Sequence, residues 1–189
     1  MADTALLVMD VQRDVVDIVG ADSGYLGRLR AAIDGARAAG IPVIYVTMGL
    51  RAGQPEVSSR SRAMATVLEA GLFTEGAPGS EIHPDITPRP DDIVVTKRRG
   101  SAFSGSDLDL VLRARGINHL VLAGIATSAV VLTTLARGVD LDFGLTVLVD
   151  GCLDTDQELH RVLTERLFPL WADVVPVDEW LKALTASAG

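Results

Sequence analysis

Two charged residues that could perform acid–base chemistry directly follow apolar runs of the sequence. Asp10 ends the run ALLVMD, and Lys97 ends the run DIVVTK. A third apolar run ends at Gly124 and leads through Ile125 and Ala126 into a predicted helix. Because an isolated buried charge is costly, a carboxylate and an ammonium group at one edge of a sheet are expected to pair. Such a pair can shift the pKa of an acid or a base.

Each of these charged residues also has a purely structural interpretation. An aspartate after a strand is commonly a helix N-cap or a turn residue. A lysine followed by two arginines, as Lys97 is by Arg98 and Arg99, is commonly part of a solvated charge run. Short motifs match by chance often, so spacing alone favours the structural interpretation, and only the combination of features argues for a site.

The alternation of apolar runs with amphipathic stretches predicts a parallel sheet wrapped by helices. Six largely continuous apolar runs are typical of strands covered on both faces: residues 5–10, 42–47, 92–97, 119–124, 145–150 and 173–177. The predicted helices cover residues 26–39, 58–70, 106–114, 128–137, 155–168 and 179–184. We therefore predict an α/β fold with a six-stranded, mostly parallel sheet, helices on both faces in a Rossmann-like three-layer arrangement, and one domain over residues 1–189.

Local signals predict where helices begin and end. Ser106 with Asp109 three residues later resembles a capping pattern, and Gly40 and Gly116 stand where helices should stop. Residues 50–60 and 74–90 are rich in Gly, Pro and Ser and are interpreted as long loops. Ligands of open parallel sheets bind at the carboxyl ends of the strands, so we expect the site among the loops at that edge.

Composition argues against several classes of partner. The formal net charge is −8 and no long basic run occurs, so neither nucleic acid nor an anionic membrane is an expected partner. The apolar stretches, such as residues 120–126, are far shorter than the roughly 20 residues of a membrane-spanning helix, and no signal peptide is predicted. A single cysteine, Cys152, cannot form an internal disulfide, and we expect a cytoplasmic protein.

Four segments together resemble the isochorismatase-like hydrolases, a superfamily that also contains nicotinamidases, N-carbamoylsarcosine amidases and related amide or imide hydrolases. The segments are LLVMDVQRD, VVTKRRGSAFSGSDLDLVLRARG, LVLAGIATSAVVLTTLARG and LTVLVDGCLDTDQELHRVL. The resemblance implies that Asp10 is the acid/base, that Lys97 pairs with it, and that the Ile125–Ala126 peptide bond is cis. It also implies an oxyanion hole formed by the backbone N–H groups of Ala126 and of the nucleophile position, a device worth about 3 kcal/mol per donor.

The nucleophilic cysteine of that family has no counterpart here. The family pattern is Gly-Val-Ala-Thr, two further residues and then the cysteine, which aligns with GIATSAVV and places Val130 at the cysteine position. Ser128 comes two residues too early, and Cys152 is expected to be a buried small hydrophobic residue. Without a thiolate the chain cannot form the thioester through which this family hydrolyses amides, so nicotinamidase-like activity is disfavoured.

The resemblance also implies a route that needs no cysteine. Isochorismatases proper cleave a vinyl ether: an aspartate protonates the enol ether carbon, water adds to the oxocarbenium ion, and pyruvate leaves. We therefore predict a cysteine-independent hydrolase with Asp10 as general acid/base, and we favour vinyl-ether cleavage. Asp10 must then be protonated, which requires burial to outweigh the pull of Lys97.

A binding protein derived from an amide or imide hydrolase is the alternative, because Val130 is inert. An enzyme should keep Asp10 and Lys97 paired and facing an open pocket, whereas a protein without catalysis has no reason to retain both.

No metal or other cofactor is predicted. The nicotinamidase branch places an aspartate and histidines after the second strand, and residues 47–51 contain none of these. His83, His119 and His160 are scattered along the sequence and are interpreted as structural residues.

We expect a small-molecule substrate, and the resemblance implies a homodimer or homotetramer. The candidate substrate-binding residues lie at the same predicted sheet edge and are Gln12, Leu50, Arg51, Phe103, Ile125, Ala126 and Ser128. Arg51 could bind a substrate carboxylate in a bidentate manner, but it is also typical of a surface charge. Phe103 is equally typical of core packing.

Overall fold

The computed structural model describes residues 3–186, whose strands form one six-stranded, entirely parallel sheet. The strands are β1 (Thr4–Met9), β2 (Val43–Met48), β3 (Ile93–Lys97), β4 (His119–Ile125), β5 (Gly144–Leu153) and β6 (Asp173–Val175). All six predicted strands are therefore confirmed. The predicted domain limits, residues 1 and 189, lie outside the described part of the chain.

The sheet is buried on both faces because its strands carry apolar side chains in both directions. Along β1, Leu6 and Val8 pack into one apolar cluster, while Leu7 and Met9 pack into the other. Helices cover both clusters, which produces three layers. The predicted α/β class with helices on both faces is confirmed.

The helices follow the predicted stretches with shifted ends. They are α1 (Arg13–Val19), α2 (Ser23–Ala38), α3 (Arg62–Glu69), α4 (Leu108–Ala114), α5 (Leu132–Asp140), α6 (Gln157–Val162) and α7 (Val177–Ala186). π-helical turns at Thr127–Val131 and Leu163–Leu167 lie directly before α5 and directly after α6. Three short 3₁₀ turns occur at Pro78–Ser80, Pro84–Ile86 and Phe168–Leu170. Among the described helices, none is long and apolar enough to cross a membrane.

Capping side chains explain some of the shifted helix ends. The Ser61 hydroxyl accepts the Met64 N–H at 3.4 Å, so α3 begins at residue 62 and not at 58. The predicted capping pattern at Ser106 and Asp109 is wrong, because the Asp109 carboxylate pairs with Arg113 at 2.8 Å instead. Helix α1, which has seven residues, was not predicted.

Two glycines end helices as predicted. Gly40 follows α2 with φ +70°, and Gly116 follows α4 with φ +65°, a left-handed conformation that glycine adopts without steric cost.

The order of the strands places a topological switch point at the centre of the sheet. The order is β3-β2-β1-β4-β5-β6, so the chain builds outward from β1 on one side and then returns to build outward from β4 on the other. The loops after β1 and β4 therefore diverge at the carboxyl edge, where open parallel sheets form their binding crevice. Asp10 follows β1 at this point, and Ala126 follows β4.

Candidate active site

Asp10 and Lys97 form a buried ion pair at the carboxyl edge of the sheet. The Lys97 Nζ atom lies 2.8 Å from Asp10 Oδ2 and donates a second hydrogen bond to the Arg99 carbonyl oxygen at 2.8 Å. Lys97 is fully buried, and Asp10 is 5% exposed. The two residues that the sequence places at one sheet edge are thus in direct contact.

The fold brings these two side chains together from strands that are not neighbours. Lys97 is in register with Met48 of β2, so β2 separates it from β1. Two strand spacings amount to about 10 Å, a gap that a long lysine stem and an aspartate can bridge. Asp10 adopts φ +54°, a left-handed conformation that aspartate tolerates better than most residues, and its N–H donates to the Val46 carbonyl at 2.8 Å.

The two carboxylate oxygens of Asp10 have different surroundings. Oδ2 is held by Lys97, whereas Oδ1 is buried and has no hydrogen-bond partner within residues 3–186. Burial raises the pKa of Asp10, and the charge and hydrogen bond of Lys97, with a smaller contribution from the backbone of Met48, oppose this rise without cancelling it. Oδ1 is therefore the oxygen free to exchange a proton.

The pair is retained but it is covered, which corrects the expectation that it faces an open pocket. The side chain of Lys97 is 1% exposed and that of Asp10 is 7% exposed. Oδ1 itself is almost inaccessible to solvent in this structure.

The segment after β4 contains Val130, the residue that the sequence analysis aligned with the family cysteine. The Ile125–Ala126 peptide bond is cis, and the Ala126 carbonyl accepts the N–H groups of Ala129 and Val131 at 3.1 and 3.3 Å. Val130 is 1% exposed and packs in the apolar cluster on one face of the sheet. Its side chain offers neither a nucleophile nor a proton.

Gln12 and Leu50 are buried beside the site and bond to neighbouring backbone. The Gln12 amide donates to the carbonyls of Met48 and Ser80 at 3.0 and 2.7 Å, and its oxygen accepts the Met48 N–H at 3.0 Å. Leu50 is fully buried, and its N–H donates to the Phe73 carbonyl at 2.7 Å. Gln12 thus positions loops, and a role of either residue in substrate binding stays a prediction.

Three further predicted binding residues already have protein partners. Arg51 is exposed and lies 3.8 Å from the Glu56 carboxylate. The Phe103 ring packs against Phe143 with a centroid distance of 5.9 Å, which agrees with its interpretation as a packing residue. The Ser128 backbone N–H donates to Asp154 Oδ2, in the loop after β5, at 2.7 Å. Substrate contacts of these residues also stay predictions.

The sequence interpretation missed a polar cluster that packs against the segment after β4. Thr127 Oγ1 lies 2.8 Å from His160 Nδ1, and the Ser128 N–H donates to Asp154 Oδ2 at 2.7 Å. Thr127 is fully buried and Asp154 is 3% exposed. Burial lowers the pKa of His160, and the Asp154 charge opposes this only in part. These residues fall within two of the family segments, GIATS and LDTDQELH, which was the available signal.

A small cavity at the same sheet edge was also not predicted. Its volume is about 150 Å³, and it lies between the ends of β2 and β3 and the loop that Gln12 holds. Thr47 and Thr96 line it, and their hydroxyl oxygens lie 3.4 Å apart. Within residues 3–186, no group of three or more His, Cys, Asp or Glu side chains is arranged to hold a metal ion.

The three-layer fold with a charged pair at its switch point defines an α/β protein of the kind that binds ligands at the carboxyl edge of the sheet. Residues 4–179 match the Isochorismatase domain. The chain belongs to the isochorismatase family of hydrolases.

Similar curated proteins include ureidoacrylate amidohydrolases. The one from Pseudomonas syringae pv. syringae is 38% identical over 171 residues, covering 79% of this chain and 70% of that protein. The one from Caulobacter vibrioides is 37% identical over 170 residues, covering 78% of this chain and 76% of that protein. The names of these relatives describe amide hydrolysis and not vinyl-ether cleavage.

Solved structures show the same fold. A cysteine hydrolase from Pseudomonas syringae pv. phaseolicola superposes with a TM-score of 0.89 at 23% identity, covering 98% of this chain and 93% of that chain. An N-carbamoylsarcosine amidase from Thermoplasma acidophilum superposes with a TM-score of 0.76 at 27% identity, covering 93% and 97%. The predicted family and fold are thus confirmed, and the particular reaction is left open.

Proposed function

We propose that this chain is a cysteine-independent hydrolase in which Asp10 transfers the proton and water attacks the substrate. The observation that carries the proposal is the buried carboxyl of Asp10, with Oδ2 held by Lys97 and Oδ1 without a hydrogen-bond partner among residues 3–186. Val130 supports it, because its hydrocarbon side chain cannot form a covalent intermediate.

Vinyl-ether cleavage is the reaction that the raised pKa of Asp10 favours. Protonated Oδ1 would donate its proton to the enol ether carbon, and water would add to the resulting oxocarbenium ion and return a proton to Asp10. The hemiketal then breaks into an alcohol and a ketone. General-acid assistance of this kind contributes about 10²–10⁴-fold to rate.

Amide hydrolysis is the reaction that the names of the relatives favour. Here ionised Asp10 would accept a proton from the attacking water and pass it to the leaving nitrogen. The backbone N–H groups of Ala126 and Val130 are proposed to bind the developing oxyanion, and no thioester forms. Both reactions use Asp10 to transfer the proton and Lys97 as its partner, although Asp10 starts protonated in vinyl-ether cleavage and ionised in amide hydrolysis.

A binding protein without catalysis is the second candidate function. It is favoured by the covered position of the Asp10–Lys97 pair and by the inert Val130.

A substrate screen separates the two candidates. The full chain is assayed with isochorismate, related vinyl ethers, ureidoacrylate and a panel of small amides, with binding measured calorimetrically for each. We expect turnover of at least one compound. Binding of a small ligand without turnover of any compound would overturn the hydrolase proposal in favour of the binding protein.

Substituting Val130→Cys is expected to create or increase amide hydrolysis by placing a thiol where the family has its nucleophile. The smaller side chain costs about 1 kcal/mol of stability, as for other small core truncations. The measurement is amide turnover together with mass spectrometry of the acyl-enzyme. Val130→Ala is the control, because it also removes volume but adds no thiol. Equal activity of the two variants would show that the site is not arranged for acyl transfer.

A further inference from the structure

We propose that Asp154 and His160 are positioning residues that hold residues 126–131, and with them the backbone N–H groups assigned to the developing anion. The expected effect on turnover rests on the proposed function. The expected effect on the conformation of residues 126–131 rests on the geometry alone. Neither residue is assigned contact with the substrate.

The side-chain contact is the hydrogen bond between Thr127 and His160. Thr127 is fully buried, and its hydroxyl has no other hydrogen-bond partner within residues 3–186. Because a buried hydroxyl proton needs an acceptor, Thr127 must donate to His160 Nδ1 at 2.8 Å. This assigns the neutral tautomer of His160 with its proton on Nε2.

The backbone contact is made by Asp154. Its Oδ2 accepts the Ser128 N–H at 2.7 Å, and its Oδ1 accepts the Asp156 N–H at 3.2 Å. A buried carboxylate that accepts backbone N–H groups is satisfied without a cation. Asp154 therefore fixes the first turn of the segment at the residue next to Thr127.

Asp154 and His160 are themselves fixed by the connection between β5 and α6. The Gln157 side chain donates to the Asp154 carbonyl at 2.8 Å, and the His160 N–H donates to the Asp156 carbonyl at 2.9 Å. The Asp156 carboxylate caps α6 by accepting the Leu159 N–H at 2.9 Å. One connection therefore holds two consecutive residues of the segment, 127 and 128, through a side chain and a backbone group.

The contact with Thr127 depends on the protonation state of His160. Protonation of Nδ1 would remove the only acceptor of the Thr127 hydroxyl. Asp154 is the charged group facing His160 from the preceding loop, and residues 127–131 contribute no titratable side chain. The charged neighbours on its own connection and helix are Asp156, Glu158 and Arg161, of which the last two pair with each other at 2.7 Å. Burial holds the pKa of His160 below its ordinary value of 6.5, so the contact persists at neutral pH.

The first arm of the test needs no substrate. Backbone amide NMR signals of Ser128, Ala129 and Val130 are followed between pH 7.5 and pH 4.5. In the wild-type chain we expect them to shift together with a midpoint below 6.5. His160→Asn keeps an acceptor near the Nδ1 position, so its signals should stay near their neutral positions and lack this titration. Thr127→Val should displace the three amide signals at every pH. Thr127→Ser keeps the hydroxyl and should leave the signals at their wild-type positions.

The second arm measures turnover of an amide from the screen, because only amide hydrolysis develops an oxyanion for these N–H groups to bind. We expect the wild-type kcat to fall about 10- to 100-fold as pH drops through the same midpoint. This loss should not exceed the loss caused by deleting an oxyanion-hole donor. The His160→Asn variant should keep its neutral kcat and lose this acidic decline. KM should change little, because neither residue touches the ground-state substrate.

His119 provides the matched control. Its Nε2 lies 2.9 Å from the Thr146 hydroxyl, which is a second histidine–threonine contact at the opposite, amino end of the sheet. His119→Asn should leave both the amide signals and kcat unchanged. The inference is overturned if the wild-type amide signals do not titrate, or if the signals of His160→Asn titrate in acid as those of His119→Asn do. Absence of turnover on every compound would contradict the proposed function while the NMR arm still decides the positioning role.

Discussion

Substituting Asp10→Asn is expected to lower turnover by about 10²–10⁴-fold, the usual contribution of a general acid or base. The free energy of unfolding at pH 7 should nevertheless stay within about 1 kcal/mol of wild type or rise. Breaking a buried ion pair usually costs about 3–5 kcal/mol, but here burial has already made the ionised carboxylate unfavourable. The raised pKa of Asp10 has the same cause, because the desolvation of its carboxylate outweighs the attraction of Lys97. The neutral amide in Asp10→Asn has nearly the same shape and avoids the desolvation cost of the ionised carboxylate, which the wild type bears for its function.

The pH dependence of stability follows from the same raised pKa. The folded state holds its proton on Asp10 at a pH where the unfolded chain, with an ordinary value near 3.8, has lost it. The stabilising contribution is therefore fully present below about pH 3.8 and is lost as pH rises through the folded-state pKa. The wild type should gain stability relative to Asp10→Asn as pH falls through this window, by at most about 1.4 kcal/mol per pH unit.

The measurement is urea unfolding of both proteins across pH, together with turnover. Asp92→Asn is a matched control, because Asp92 pairs with Arg37 at the amino end of the sheet, far from the site. It should leave turnover unchanged. If the wild type instead loses stability relative to Asp10→Asn on acidification near pH 4, the pair is an ordinary structural salt bridge. The role of Asp10 as a proton donor would then be wrong.

Substituting Gly124→Ala is expected to destabilise the fold by about 2–4 kcal/mol, the upper part of the range for single substitutions. A Cβ at this position would overlap the Met9 carbonyl oxygen and lie 2.9 Å from the carbonyl carbon. Gly124 also adopts φ +148°, which side chains rarely adopt. Met9 is the register partner of Gly124 and immediately precedes Asp10, so turnover should fall together with stability.

Gly27→Ala is the matched control for this prediction. Gly27 lies within α2, and a Cβ there would meet no atom within 4 Å. The same substitution should therefore stabilise the chain by about 0.5–1 kcal/mol, because alanine loses less backbone entropy in a helix. Urea unfolding of both variants is the measurement. Similar effects at the two positions would contradict the close approach of β1 and β4.

The architecture could be predicted from local patterns. Each strand is a largely continuous apolar run, and the predicted helices repeat apolar residues at helical spacing, so the layers follow from short-range burial preferences. The contact between Asp10 and Lys97 was also predictable, because the carboxyl ends of parallel strands meet at one edge. The expectation that Val130 replaces the family nucleophile came from the alignment of a single short segment and stays a prediction.

Other features were decided only by packing between distant segments. The sequence proposed Gln12 for substrate binding, but its amide bonds to Met48, which is 36 positions away, and to Ser80. It interpreted His160 as a structural residue without a named partner. In the structure His160 contacts the Thr127 hydroxyl, which is 33 positions away in the sequence.

The amino-acid sequence by itself determined the family, the layers and the edge of the sheet that carries the charged pair. Only the tertiary structure decided that the pair is covered, that one oxygen of Asp10 lacks a hydrogen-bond partner in the described part of the chain, and that the loop after β5 holds the segment after β4. The reason is physical. Periodic burial acts between residues a few positions apart and leaves a pattern in the sequence, whereas the partner of a polar group depends on which distant segment packs beside it.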